Sequence, residues 1–228
     1  MLLRDRVYQS IRRAILSCEF EPGQELREQL LAERYHVSRS PIRDSLLRLV
    51  QENLVTVLPR QGYLVTPISI ADVEDIFGLR LVIEPACAAA AARGDDAAVH
   101  TLDHFRDYID DGTTPSKFFE HNIAFHCAVA DLSGSARMAV VAHDLAEQSD
   151  RLVRISLRGE QMIKIDRLVQ EQSAIIDAIV AHDADTAYQI AYDHVADGRS
   201  RIVSWLGQGA TASDKSSERP PASGDKAT

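Results

Sequence analysis

Cysteine is scarce in this chain of 228 residues: Cys18, Cys87 and Cys127 are odd in number, far apart and never in a CxxC pair. That excludes a disulfide framework and a thiolate metal knuckle, and points to reduced thiols in the cytoplasm. Long apolar runs are missing too. A membrane span needs about 18 consecutive apolar residues, and the Ala-rich stretch 86–92 is short and flanked by Glu84 and Arg93. The opening Met-Leu-Leu-Arg-Asp-Arg puts charge where a signal peptide would carry its apolar segment, so export is not expected. No GxSxG, HExxH, P-loop or GxGxxG pattern occurs, which leaves a catalytic helical bundle without a recognisable nucleophile, metal helix or phosphate loop.

Lysine is absent from the first 66 residues. Of the chain's 25 basic and 34 acidic side chains, 10 Arg and 8 Asp or Glu fall there, for a net +2. The remaining 15 basic and 26 acidic residues leave the rest at −11. An overall charge of −9 argues against nucleic acid, but this asymmetry assigns different partners to the two parts. The basic part uses only Arg, the side chain suited to bidentate contact with phosphate and guanine.

Periodicity predicts a helix over about Asp5–Ser17, with Val7, Ile11, Ala14 and Ile15 on one face, and a turn at Pro22-Gly23. A second helix carries Leu26, Leu30 and Ala32. Ser38 is a ready N-cap for a third, in which Ile42, Leu46, Leu49 and Val50 repeat at helical spacing and Pro41 falls in the first turn. Val55–Leu58 and Tyr63–Val65 then read as a hairpin turning through Pro59-Arg60-Gln61-Gly62. This is the order of a winged helix-turn-helix. With the apolar face inward, Ser38, Arg39, Ser40 and Arg43 project outward, and neither Arg has a carboxylate three or four residues away on its own helix. Such a pair beside two hydroxyls suits duplex DNA, with Arg60, Gln61 and Gly62 reaching an adjacent groove or phosphate; Arg60 taken alone can also be a solvated hairpin tip. Arg48 and Glu52, at i and i+4, read as a solvated pair.

Beyond Pro67 the period is helical almost throughout: about Ile70–Ala92, Asp95–Asp110, Pro115–Leu132, Ala136–Leu157, Ile163–His182 and Asp185–Leu206. The expected architecture is mainly α. A winged helix-turn-helix spans 1–67, an all-α six-helix bundle 68–206, and a disordered tail 207–228. Several polar residues fall on apolar stripes of the bundle: Arg80, Asn122, His126, Gln172 and His194. Burial of a polar group demands a partner, and such groups from different helices suggest a polar-lined cavity. A lone histidine or glutamine on such a stripe can instead be an ordinary core or half-exposed residue, and Arg80 can pair with Glu84 at a rim. Arg80 is the candidate anchor for an anionic ligand; Arg151 and Arg154 are weaker candidates, with a solvated alternative.

The run Val37-Ser38-Arg39-Ser40-Pro41-Ile42-Arg43, with Leu30-Leu31-Ala32-Glu33 before it and Pro59-Arg60-Gln61-Gly62 after it, resembles the GntR family of bacterial transcription regulators. The likeness covers about sixty residues. It implies operator contacts at Ser38, Arg39, Ser40, Arg43, Gln61 and Gly62, made by a homodimer on double-stranded DNA. Asn53 stands where the family usually has Gly, a change Asn tolerates because it accepts a left-handed backbone. The helical region, through Leu79-Arg80, Glu84, Phe125-His126, Ser133-Gly134, Ile175–Ile179 and His194, resembles the FadR/FCD effector domain. In many members an Asp and three His hold Zn²⁺ or Ni²⁺ beside a small carboxylate. Those positions map onto Asn122, His126, Gln172 and His194, so two ligands have become amides. The resemblance therefore implies at most a weak Zn²⁺ or Ni²⁺ site on His126 and His194, and the expectation is an effector pocket with no tightly held metal. The rival classes are a metal-dependent helical enzyme with a DNA-binding appendage and a ligand-independent DNA-binding adaptor.

Overall fold

The computed structural model describes residues 2–108, 115–156 and 165–215. Helix α1 (Leu3–Leu16), α2 (Glu28–Tyr35) and α3 (Arg39–Gln51) pack around Ile11, Ile15, Leu31, Ile42, Leu46 and Leu49, all buried. Strands β2 (Val55–Leu58) and β3 (Gly62–Val65) form the expected hairpin. A strand the hydropathy pattern does not reveal, β1 (Glu25–Leu26), pairs antiparallel with β3, giving a sheet of order β1-β3-β2. Leu26 therefore belongs to this sheet and not to the second helix, which starts at Glu28. Its inward residue is Leu31, whereas Leu30 is 59% exposed. A two-residue strand is too short for alternation to show.

Asn53 closes α3 with φ +57°, the left-handed conformation expected of it. At the wing tip Gln61 N–H bonds the Leu58 carbonyl at 3.0 Å, with Arg60 at φ +65° and Gly62 at φ +122°. A Cβ on Gly62 would sit 3.0 Å from the Leu26 carbonyl oxygen, so the glycine also lets β1 approach.

The second unit begins at a capping box. The Ser69 hydroxyl accepts from Asp72 N–H, and Asp72 Oδ2 accepts from Ser69 N–H at 2.9 Å. Helix α4 (Ile70–Ala91) follows, then α5 (Asp96–Val99), α6 (Pro115–Leu132), α7 (Ala136–Ser156), α8 (Ile165–Val180) and α9 (Ala184–Lys215). The expected helix at 95–110 is instead the single turn α5 followed by a 3₁₀ segment, His100–Phe105. The buried side chains there, Val99, Leu102 and Phe105, recur every three residues, which is the 3₁₀ period. Helix α9 runs on to Lys215, past the boundary expected at Leu206. The expected helix ends at Asp110, Leu157 and Ile163, and the part of the tail beyond 215, lie outside the described residues. The bundle core joins Ala88, Leu102, Phe125, Ile176 and Ile179, and a second cluster, Val73, Phe77, Leu152, Val195 and Ile202, lines the junction of α4, α7 and α9.

Candidate functional site

On the DNA-reading side, α3 begins at Arg39 with Ser38 as N-cap residue, as its sequence implies. The Ser38 side chain makes no capping hydrogen bond, however, and it lies exposed with Arg39, Ser40 and Arg43. The outward projection holds, and neither Arg meets a carboxylate of its own helix, but Arg43 is not uncompensated. Arg43 is gripped by Glu28 of α2, Nε to Oε1 at 2.8 Å and Nη2 to Oε2 at 2.9 Å, and Arg39 Nη2 donates to Gln29 Oε1 at 2.9 Å. Counting charges along one helix misses a partner on the helix across the turn. Arg60 and Gln61 are exposed at the wing tip and Gly62 is half-buried.

Arg48 and Glu52 do not pair with each other. Arg48 stacks over the Tyr8 ring at 3.7 Å and lies 3.5 Å from Asp5, while Glu52 accepts from the Tyr8 hydroxyl and from Arg12 Nε at 3.1 Å. The buried Arg12 also donates to Asp144 (2.9 Å) and Glu147 of α7. Nearby, Arg151 Nη1 donates to the Thr66 carbonyl at 3.4 Å. These bonds join reader to bundle.

Within the bundle, Arg80, Asn122, His126, Gln172 and His194 are all buried. Arg80 pairs with Glu84 through Nε and Nη2, the latter at 3.1 Å, and the pair is buried, not at a rim. His126 Nδ1 lies 3.0 Å from Glu84 Oε2, and His194 Nδ1 lies 2.9 Å from Glu171 Oε2. The two imidazoles stack with centroids 5.4 Å apart. Gln172 Nε2 donates to Asn122 Oδ1 at 2.8 Å, and its own Oε1 is buried without a partner.

Burial opposes ionisation of Glu84, but the Arg80 charge and then His126 outweigh it and hold the carboxyl well below its usual range. Burial pushes the His126 imidazole down, against the pull of Glu84. Glu171 is likewise held low, by His194 and Arg201 against its burial. Two ionised carboxylates accept only, so each Nδ1 carries the hydrogen, and neutral His126 keeps a lone pair on Nε2.

Four of the five sequence candidates group as expected: Arg80, Asn122, His126 and His194 line a narrow cavity with Phe77, Ser156 and Arg201. A second narrow cavity shares His126 and His194 and is bounded by Cys87, Phe125 and Ile175. Gln172 lines neither; it stands behind Asn122 as its hydrogen-bond partner. Arg151 and Arg154 line neither cavity and are not solvated: Arg151 is buried, and Arg154 pairs with Asp150 over the Phe119 ring. Sequence reasoning missed Glu171, Ser156 and Arg201. The i, i+4 spacing of Arg167 and Glu171 hides Glu171 as a surface pair, and nothing local marks the other two.

A divalent ion does not fit this donor set. His126 and His194 supply two nitrogens, Asn122 Oδ1 is already taken by Gln172, and Glu84 and Glu171 are turned to the Nδ1 sides. Among the described residues no three His, Cys, Asp or Glu are placed to hold a metal.

Residues 3–65 match the family model of the bacterial regulatory proteins, gntR family, and residues 75–197 match the FCD domain. The chain belongs to the GntR family. It is 30% identical over 196 residues to an HTH-type transcriptional regulator in the unstable DNA locus of Streptomyces ambofaciens, covering 84% of this chain and 81% of that protein. It is also 30% identical over 194 residues to the HTH-type transcriptional repressor GlaR of Escherichia coli K12, covering 82% and 84%. Among solved structures, a GntR regulator from Rhodococcus sp. RHA1 superposes with TM-score 0.73 at 22% identity, over 88% of this chain and 97% of that one. E. coli McbR/YncC gives 0.71 at 17% identity, over 92% and 99%. This GntR protein is a DNA-binding transcription regulator with a C-terminal effector-binding domain. No helix among the described residues is long and apolar enough to cross a membrane.

Proposed function

We propose that this regulator is a cytoplasmic homodimer. In this reading Ser38, Arg39, Ser40 and Arg43, with Arg60, Gln61 and Gly62 of the wing, contact the operator. Operator affinity is set by a small carboxylate held directly, without metal, in the α4–α6–α9 cavity. The observation that carries the ligand reading is the gathering of four buried polar side chains, Arg80, Asn122, His126 and His194, with the half-buried Arg201 around one cavity. Each buried polar group costs desolvation unless bonded, and the partners within the bundle take up only part of the hydrogen-bonding capacity of Arg80 and His126.

The donors sort by direction. Arg80 spends Nε and Nη2 on Glu84, so its Nη1 edge is left to hold a carboxylate, together with the half-buried Arg201, whose Nη1 also lies 3.5 Å from Glu171. The Nε2 lone pair of His126 accepts, so the same ligand carries a hydroxyl or amino hydrogen near its carboxylate. Dimerisation fits a two-fold operator, since one reader has a small footprint. The relatives named above are regulators, which favours a regulatory over a catalytic role.

Selection from a random duplex library, followed by anisotropy titration on the selected site, tests the DNA half. A thermal-shift screen of small carboxylates on the purified dimer tests the other half. A hit should change operator affinity, and Arg201→Ala should abolish both effects. A hit that stabilises Arg201→Ala equally refutes the assigned cavity.

A further inference from the structure

The grip of Glu28 on Arg43 has a geometry that does more than neutralise charge. A guanidinium has five N–H donors, and a carboxylate that takes Nε and Nη2 approaches it from the side. The remaining hydrogens, on Nη1 and the outer side of Nη2, form the end-on edge of the fork. That edge matches the O6 and N7 acceptors of guanine in the major groove.

Exposure divides in the same sense: the Arg43 side chain is 62% exposed and the Glu28 side chain only 18%. Tyr63 sits beside Glu28, and its hydroxyl helps hold the Glu28 carboxyl low. Tyr63 belongs to β3, so the cluster of Tyr63, Glu28 and Arg43 draws together the wing strand, α2 and α3. The Arg43 hydrogen bonds and charge keep the Glu28 carboxyl below its usual range, so the grip persists at neutral pH.

We infer that Glu28 is a specificity-determining positioning residue, a buttress that holds the Arg43 fork end-on toward one guanine of each operator half-site. This inference rests on Arg43 meeting DNA and adds what it reads and why. A free Arg side chain loses rotamer freedom on binding, whereas a fork already held loses little. The carboxylate also sits close to where phosphates lie and repels them. Glu28 therefore lowers sequence-independent affinity while it raises discrimination. A plain phosphate clamp at Arg43 and an autoinhibitory mask by Glu28 give different signs.

The test uses the full-length dimer and a duplex selected by the wild-type protein from a random library. Its comparators are the same duplex with each half-site guanine replaced in turn and a scrambled duplex, all measured by anisotropy at fixed salt. Arg43→Ala should lose preference at one guanine, roughly 5- to 150-fold. Glu28→Ala and the more conservative Glu28→Gln should lower preference at that same guanine about fivefold or more, with scrambled-duplex binding unchanged or tighter. Tyr63→Phe should give a smaller loss of the same kind. Thermal unfolding confirms that each variant is folded.

If Arg43→Ala loses the guanine and both Glu28 variants keep it, the buttress is refuted while Arg43 keeps its DNA role. If Arg43→Ala keeps full preference, both readings fall. Glu28 variants that change all duplexes equally point to phosphate contact, and variants that bind every duplex tighter, the selected one included, point to a mask. Either result overturns the inference.

Discussion

Arg12 offers the sharpest test of how the two units communicate. Its guanidinium is buried and meets Glu52, the C-cap residue of α3, together with Asp144 and Glu147 of α7. Helix α7 in turn supplies Val153 and Ser156 to the cavity proposed above for the effector, so one side chain links the end of the recognition helix to a wall of that cavity. Removing one partner of a fully buried ion pair costs about 3–5 kcal/mol. The carboxylates around Arg12 are 29%, 54% and 44% exposed, so water compensates them and each contact is nearer the ~0.2–1 kcal/mol of surface pairs.

Three such contacts plus lost packing of the buried stem place Arg12→Ala at about 2 kcal/mol. For a chain of this size that lowers Tm by roughly 4–8 °C. Calorimetry should also show the single transition broadening or splitting as reader and bundle uncouple. A double-mutant cycle of Arg12→Ala with Glu147→Gln isolates the inter-unit term, expected at about 0.5–1 kcal/mol. A Tm change under 1 °C with no coupling in the cycle would refute the reasoning and leave the units joined by packing alone.

Arg39→Ala and Arg43→Ala should each cost about 1–3 kcal/mol on a selected operator in anisotropy titrations, with little change in Tm because both side chains are exposed. Metal measured by plasma emission after dialysis against a mild chelator should fall well below one equivalent per chain; one retained equivalent, lost on His126→Ala, contradicts the metal-free cavity. Asp150 of α7 is buried, with Oδ1 unpartnered, and burial pushes its carboxyl up to about 6 against the pull of Arg154. A folded pKa above the unfolded value of about 3.9 means the native state binds this proton first. Its contribution therefore favours folding most below about pH 4 and is lost as pH rises through 6. Denaturant unfolding between pH 4 and 7.5 should show wild type losing on the order of 2 kcal/mol relative to Asp150→Asn, and parallel curves would contradict this.

What could be read from the sequence follows the range of the interactions involved. Ile42, Leu46 and Leu49 mark α3 because helical spacing is a local property, and Asn53 marks its end because few residues accept a left-handed backbone. The stripes that carry Arg80, Asn122, His126, Gln172 and His194 predict burial for the same reason, and all five are buried. Strand β1 was illegible because two residues hold no period. The 3₁₀ segment was hidden because its three-residue spacing, in Val99, Leu102 and Phe105, passes for a helical one.

Partners across elements are where local reading ends, and here they alter the chemistry of residues whose placement was right. Arg43 reads as an unpaired cation until Glu28 arrives from the neighbouring helix. Gln172 reads as a cavity wall until its amide is found spent on Asn122. Arg80 reads either as an anion anchor or as the partner of Glu84 at a rim; Glu84 does occupy two of its donors, but in the buried interior, and Arg201, a residue no stripe singles out, stands with it at the cavity. Each Nδ1 of His126 and His194 is taken by a carboxylate from another helix, which makes the remaining nitrogen of His126 an acceptor. Hydropathy is indifferent to that distinction, because an imidazole has the same period whichever nitrogen holds the proton. In the proposed reading, the choice between a ligand that donates to His126 and one that only accepts is therefore made by Glu84, which the sequence displays as an ordinary helix carboxylate.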